Sequence, residues 1–144
     1  MENCSYVIRF LENDDYFKNY LELLSQLTVV NLDVSFDDFS KHFDNINSKI
    51  FVIEDNNKII ASGTLLIEKK FIRNFKSVGH IEDIVVDNNY RGKKIGKQLI
   101  KFLTEYAYEK DCYKVILDCN HNNIIFYEKC GYKIGKDYHM VQYF

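Results

Sequence analysis

Residues Gly79 to Lys97, GHIEDIVVDNNYRGKKIGK, constrain this chain more than any other stretch. An apolar run broken only by Glu82 and Asp83 gives way to a polar turn at Asp87-Asn88-Asn89. The loop Arg91-Gly92-Lys93-Lys94-Ile95-Gly96 then opens a helical pattern. Ile95, Leu99, Phe102, Leu103, Tyr106 and Ala107 recur at helical spacing, so the loop lies at a helix N-terminus. Free backbone N–H groups and the positive end of the helix dipole face whatever enters it. Gly92 and Gly96 allow close backbone approach, and Arg91, Lys93, Lys94 and Lys97 add positive charge. The ligand expected here is a phosphate or pyrophosphate. A Walker loop needs Gly-Lys followed by Ser or Thr, whereas Lys93 is followed by Lys94, and the three glycines of a dinucleotide fingerprint are missing at their spacing.

With 144 residues, 47% of them apolar, one domain over 1–144 is expected, large enough to bury roughly two thirds of its unfolded surface. A net charge of −2 argues against a nucleic-acid partner and makes the cationic loop a local feature. Cys4, Cys112, Cys119 and Cys130 show no CxxC spacing, the start Met-Glu-Asn has no apolar leader, and no run approaches the ~20 apolar residues of a membrane span. The expectation is a cytoplasmic protein with reduced thiols and no membrane partner. His42, His121 and His139 show no metal-ligand spacing, so no metal is expected, and His80 reads as a structural hydrogen-bonder.

Taken in order, Tyr6 to Phe10 reads as a first strand, and Asp14-Asp15 open a helix striped by Phe17, Leu21, Leu24 and Leu27. A second helix starts at Ser35, an N-cap with Asp38 three residues on, and runs along Phe36, Phe39 and Phe43. Ile50 to Glu54 and Ile59 to Ile67 form a hairpin about Asp55-Asn56-Asn57-Lys58, with Gly63 marking a bulge or close backbone approach. After the central strand and helix come a strand Lys114 to Asp118, a helix Ile124 to Lys129 closed by Gly131, a strand from Tyr132 and a last one at Met140 to Phe144. The order βααβββαβαββ describes an α/β domain with one mixed sheet flanked by helices.

Arg91 and Gly96 after a strand resemble the acetyl-CoA loop of the GCN5-related N-acetyltransferases (GNAT), Arg/Gln-x-x-Gly-x-Gly/Ala, with Lys94 standing where that pattern has its middle glycine. Further blocks sharpen the resemblance: Gly79-His80-Ile81-Glu82-Asp83, Cys112-Tyr113-Lys114 with Leu117-Asp118-Cys119, and Phe126-Tyr127-Glu128-Lys129-Cys130-Gly131-Tyr132. From about Tyr6 to Met140 the chain is similar to the eukaryotic glucosamine-6-phosphate N-acetyltransferases. That resemblance implies a GNAT-type domain, acetyl transfer from acetyl-CoA to the 2-amine of glucosamine 6-phosphate on the way to UDP-N-acetylglucosamine, and a homodimer whose sites draw on both chains. It places Ile84, Val85, Val86, the loop Arg91, Gly92, Lys93, Lys94, Ile95, Gly96, Lys97, and Asn123, Tyr127 and Lys129 on the acetyl-CoA side. It places Thr28, Lys70, Arg73, Glu82, Asp83, Tyr113, Lys114 and Asp118 on the sugar side.

An amine that attacks a thioester must be neutral, the carbonyl must be polarised, and the departing thiolate needs a proton. An amino-sugar amine sits near electron-withdrawing oxygens, so its pKa should resemble the ~7.7–8.0 of an α-amine, and no powerful base is required. Asp118, or a water held by Glu82, could collect the proton. Backbone N–H groups of Ile84 to Val86, freed by a bulge, would serve the carbonyl, and Tyr127 would protonate the sulfur. Alternatives stay open: Asp118 as a helix cap, Tyr127 as a packing aromatic, and Lys70 and Arg73 as part of a solvated loop. Adjacent strand residues point to opposite faces, so only one of Glu82 and Asp83 should face a given side. Family members carry Arg or Lys just before the chain end, where this chain has Gln142 and Tyr143, so Lys70, Arg73 and Lys114, with Thr28 and Tyr143, would have to hold the phosphate. The competing functions are acetyl transfer to another small amine or a peptide N-terminus, and a non-catalytic acyl-CoA-binding module.

Overall fold

A computed structural model describes residues 5–144, so Cys4 lies outside the described residues. Five strands, β1 (Ile8–Phe10), β2 (Lys49–Asp55), β3 (Lys58–Glu68), β4 (Ser77–Val86) and β5 (Cys112–Leu117), form one sheet in sequential order. Every neighbouring pair is antiparallel except β4 and β5, which are parallel and therefore need a crossover. The crossover is α3 (Ile95–Glu109), and its buried residues Ile95, Leu99, Ile100, Leu103 and Ala107 cover one face of the sheet. Helices α1 (Tyr20–Ser25) and α2 (Phe36–Asn45) cover the other, where Tyr20, Leu23, Val52, Ile59 and Val85 are buried together. The last helix is α4 (Ile124–Lys129). Among the described residues no helix is long and apolar enough to cross a membrane.

Several local devices match their sequence signals. The β2–β3 turn has Asn56 and Asn57 both at positive φ (50° and 59°), the backbone of a type I′ hairpin. The Ser35 hydroxyl accepts the Asp38 N–H and caps α2. Gly63 lies in a register shift of β3, and a Cβ there would come within 2.7 Å of Ile84 Cδ1, so its close packing admits no side chain. At the end of α4, Gly131 (φ 94°) donates to Glu128 O and Tyr132 N–H donates to Tyr127 O, the paired bonds of a Schellman cap.

Three expectations are corrected. The first strand covers only Ile8–Phe10 of the span from Tyr6. The first helical region is divided: a 3₁₀ segment, Asn13–Lys18, ends at Asn19 in the left-handed region (φ 61°), which resets the phase so that Tyr20 and Leu23 are buried while Phe17 and Leu27 are exposed. The two strands expected after Tyr132 do not form. Residues 133–144 carry no regular structure and are largely exposed, and they pair with neither edge of the sheet.

An ion network ties the first strand to the sheet. Arg9 forks onto Asp15 (2.8 and 2.9 Å) and reaches Glu54 (2.6 Å), Lys18 bonds Glu54 (3.0 Å), and Asp15 is fully buried. Burial alone would raise the Asp15 carboxyl, but hydrogen bonds from Arg9 and the Glu12 N–H, with the charges of Arg9 and Lys18, outweigh it and hold the group below its ordinary value. A carboxyl depressed in the folded state stabilises fully above the unfolded value of ~3.9, and that contribution is lost as pH falls through the folded value. Asp15→Asn should therefore cost about 2–3 kcal/mol at pH 7 in urea unfolding. The deficit should shrink below about pH 4 as the wild type itself loses the charge. A deficit independent of pH would show that packing, not the ion network, dominates.

Candidate active site

The parallel pairing of β4 and β5 ends at Ile81↔Leu117. Beyond it β4 continues to Val86 while β5 stops, so the strands part and leave the far half of β4 without a neighbour on that side. The departure coincides with a bulge: Thr64 pairs Glu82 and Ser62 pairs Val85, with Asp83 at φ 52° between them. Glu82 and Asp83 are both exposed and both border one cavity, and Asp83 alone also borders the cavity beside Tyr20 on the α1–α2 face, in keeping with neighbouring strand residues that face different sides.

That cavity, of about 620 Å³, lies in the opening between the strands. Its walls are Ile81, Glu82, Asp83 and Ile84 of β4, Leu117 to Asn120 after β5, Asn123 and Tyr127 at α4, Leu27 and Thr28 after α1, and His139 of the C-terminal segment. Of the residues singled out from sequence it unites Glu82, Asp83, Ile84, Thr28, Asp118, Asn123 and Tyr127. Leu27, Ile81, Leu117, Cys119, Asn120 and His139 escaped sequence reasoning. Ile81 and Leu117 could have been found only from the strand register, and His139 has no local signal at all. The Thr28 wall is held by Gln26, whose side-chain oxygen accepts the Asn88 N–H (2.8 Å) and whose amide contacts Asp87 (3.4 Å), itself paired with Lys58 (2.9 Å).

Backbone geometry decides which β4 amides are available. The Asp87 N–H bonds Ile60 O on β3 (2.8 Å), and alternation sends the Val85 N–H the same way. The same alternation turns Val86 to the open side, where Arg91 Nε lies 3.4 Å from Val86 O.

At the start of α3 the N-cap is Lys94 at φ 62°, with no side-chain cap, and the first helical bond from this turn is Gln98 N–H to Lys94 O. The N–H groups of Ile95, Gly96 and Lys97 therefore face outward beside exposed Arg91, Lys93 and Lys97. Gly92 (φ 80°) has nothing within 4 Å of where a Cβ would stand, and a Cβ on Gly96 would sit 3.3 Å from Phe126. Lys94 holds the left-handed conformation usual for glycine, at a cost of about 1–2 kcal/mol.

Tyr127 is half-buried among Phe126 and Tyr132, and Tyr132 is anchored through its hydroxyl to Thr104 (2.6 Å). Burial, then the nearby Cys119, Cys130 and Tyr132, push the Tyr127 hydroxyl above its ordinary value, so it stays protonated at neutral pH. Asp118 does not cap the following helix, where Asn120 and Asn123 hold the N-cap positions; it meets His139 Nδ1 at 3.1 Å.

The remaining candidates lie elsewhere in the chain. Arg73 and Lys114 both stack on Tyr113 (5.5 and 5.6 Å to the ring), near the opposite end of β5 from the cavity. Lys70 pairs Glu68 (2.7 Å), which also meets His80 (2.9 Å), so His80 is a structural hydrogen-bonder as expected. Lys129 ends α4 outside the cavity lining. Cys112, Cys119 and Cys130 are free thiols.

Residues 8–132 match the acetyltransferase (GNAT) family. The chain belongs to that family. A glucosamine 6-phosphate N-acetyltransferase of Arabidopsis thaliana is 46% identical over 97% of this chain and 97% of its own. One of Candida albicans is 43% identical over 90% and 91%. The crystal structure of glucosamine-6-phosphate N-acetyltransferase from Arabidopsis thaliana superposes with a TM-score of 0.90 at 45% identity, covering 97% of this chain and 99% of that one. GNAT acetyltransferases use acetyl-CoA, and residues 91–97 fit its pyrophosphate: outward N–H groups, a glycine with open space beside it, and flanking cations. In this GNAT chain, Gly96→Val should raise the acetyl-CoA Kd more than tenfold by crowding Phe126 and the loop backbone, with the fold retained. Unchanged affinity by calorimetry in a folded variant would remove the loop from the acetyl-CoA site.

Proposed function

We propose that this chain transfers the acetyl group of acetyl-CoA to the 2-amine of glucosamine 6-phosphate. The observation that carries the reading is the cavity where β4 and β5 part, which gathers a protonated Tyr127, Asp118, Glu82 and Ile84 around one space. The sequence identity to relatives named for this reaction supports the acceptor.

Bound acetyl-CoA supplies an acyl thioester. Ile95, Gly96 and Lys97 N–H groups, with Arg91 and Lys93, hold its phosphates, and the Ile84 and Val86 N–H groups polarise the acyl oxygen. The acceptor amine attacks in its neutral form. As the N–C bond forms and the C–S bond breaks, its nitrogen gives one proton to Asp118, directly or through water held by Glu82, and the Tyr127 O–H protonates the leaving thiolate, the phenolate regaining its proton from solvent. Thr28 and Asp83 border the sugar.

The phosphate-reading candidates Lys70, Arg73 and Lys114 stand away from the cavity of their own chain, and this favours a homodimer in which they serve the partner's sugar. Three features support such an assembly: β5 is an edge strand, Phe71, Ile72 and Phe75 are exposed just before β4, and the C-terminal segment leaves Met140, Val141, Tyr143 and Phe144 uncovered. The setting proposed is cytoplasmic, in amino-sugar metabolism.

Tyr127→Phe should lower kcat by about 10²–10⁴-fold with little change in either KM, because the hydroxyl acts only on a thiolate formed late in the reaction. Wild-type protein should keep its donor up to at least the ordinary tyrosine value of ~10. Steady-state thiol release with glucosamine 6-phosphate measures both, and a wild-type kcat in the variant would reduce Tyr127 to packing.

A further inference from the structure

His139 sits in the segment after α4 that has no regular structure, yet its side chain lines the cavity and its Nδ1 lies 3.1 Å from Asp118 Oδ2. Asp118 follows the last residue of β5, and about two thirds of its side chain is exposed. Nothing in the strand itself fixes the carboxylate's rotation, and neither following N-cap uses it. We propose that His139 is a positioning residue that aims Asp118 at the acceptor amine. The inference rests on the reading of Asp118 as the group that receives the acceptor's proton.

The contact engages one carboxylate oxygen, Oδ2. A carboxylate only accepts, so the other oxygen, Oδ1, can accept an N–H of the incoming amine. His139 also forms part of the cavity wall. Both side chains are well exposed, and an exposed pair of this kind adds little to global stability. A purely structural role would therefore show in the melting temperature or nowhere, whereas a positioning role shows in the kinetics of one substrate.

The test is a set of four variants assayed by thiol release: His139→Ala, His139→Asn, Asp118→Asn and the Asp118→Asn/His139→Ala double variant. His139→Ala should lower kcat/KM for glucosamine 6-phosphate about tenfold, through kcat more than KM, with acetyl-CoA KM and melting temperature unchanged. His139→Asn carries an amide N–H near the Nδ1 position and should recover most of the loss. In the Asp118→Asn background, His139→Ala should cost nothing further, since there is no carboxylate left to aim. If Asp118→Asn is impaired while His139→Ala matches wild type, or if Asn fails to rescue, the positioning role is wrong and the reading of Asp118 stands. If Asp118→Asn itself matches wild type, the reading beneath it fails first.

Discussion

The parting of β4 from β5 after Ile81↔Leu117 is the constraint on which the site depends. Two paired strands would satisfy each other's backbone; two strands that separate leave amides of the longer one free and open a wedge of space. The left-handed Asp83 and the Gly63 register shift opposite it turn β4 away at that point. A bulge of this sort increases local twist, and Glu82 and Asp83 border the cavity where it lies. The rest of the fold holds this wedge open. Helix α3 packs along β3, β4 and β5 through residues that are almost wholly buried, and its N-terminus emerges beside the wedge. The cap of α4, tied to α3 through Tyr132 and Thr104, sets Tyr127 on the other wall.

Two strained or costly features converge on the same region. Lys94 occupies a conformation that glycine would adopt more cheaply, and Asp83 does the same on the strand. Such residues persist when the surrounding structure fixes them, and here both lie where backbone groups must be exposed. The Arg9–Asp15–Glu54 network lies toward the opposite edge of the sheet, joining β1 to β2. It stabilises the frame without entering the cavity.

Much of this was legible in the residues because it follows from local rules. The α3 loop and stripe, the Asn-Asn hairpin, the Ser35 cap and the Gly131 stop each depend on side chains a few positions apart, and each is found in the structure. What was not legible depends on distant register. Which of Ile84, Val85 and Val86 presents its N–H depends on the pairing with β3, and the joint exposure of Glu82 and Asp83 depends on a bulge opposite Gly63. His139 meets Asp118 across a segment without periodicity, so no pattern announced the contact. The two strands expected after Tyr132 show the converse: a strand exists only where it pairs with another, and these residues pair with no strand of the sheet.

The central claim is that the wedge between β4 and β5 is an acetyltransferase site built for a phosphorylated amino sugar. It is tested most directly by thiol release from acetyl-CoA with three acceptors side by side: glucosamine 6-phosphate, unphosphorylated glucosamine and a peptide with a free N-terminus. The account predicts that kcat/KM for glucosamine 6-phosphate exceeds that for glucosamine by at least about tenfold, the size of one charge-assisted hydrogen bond to phosphate, with negligible turnover of the peptide. Equal use of both sugars, preference for the peptide, or acetyl-CoA binding without turnover of any acceptor would contradict it.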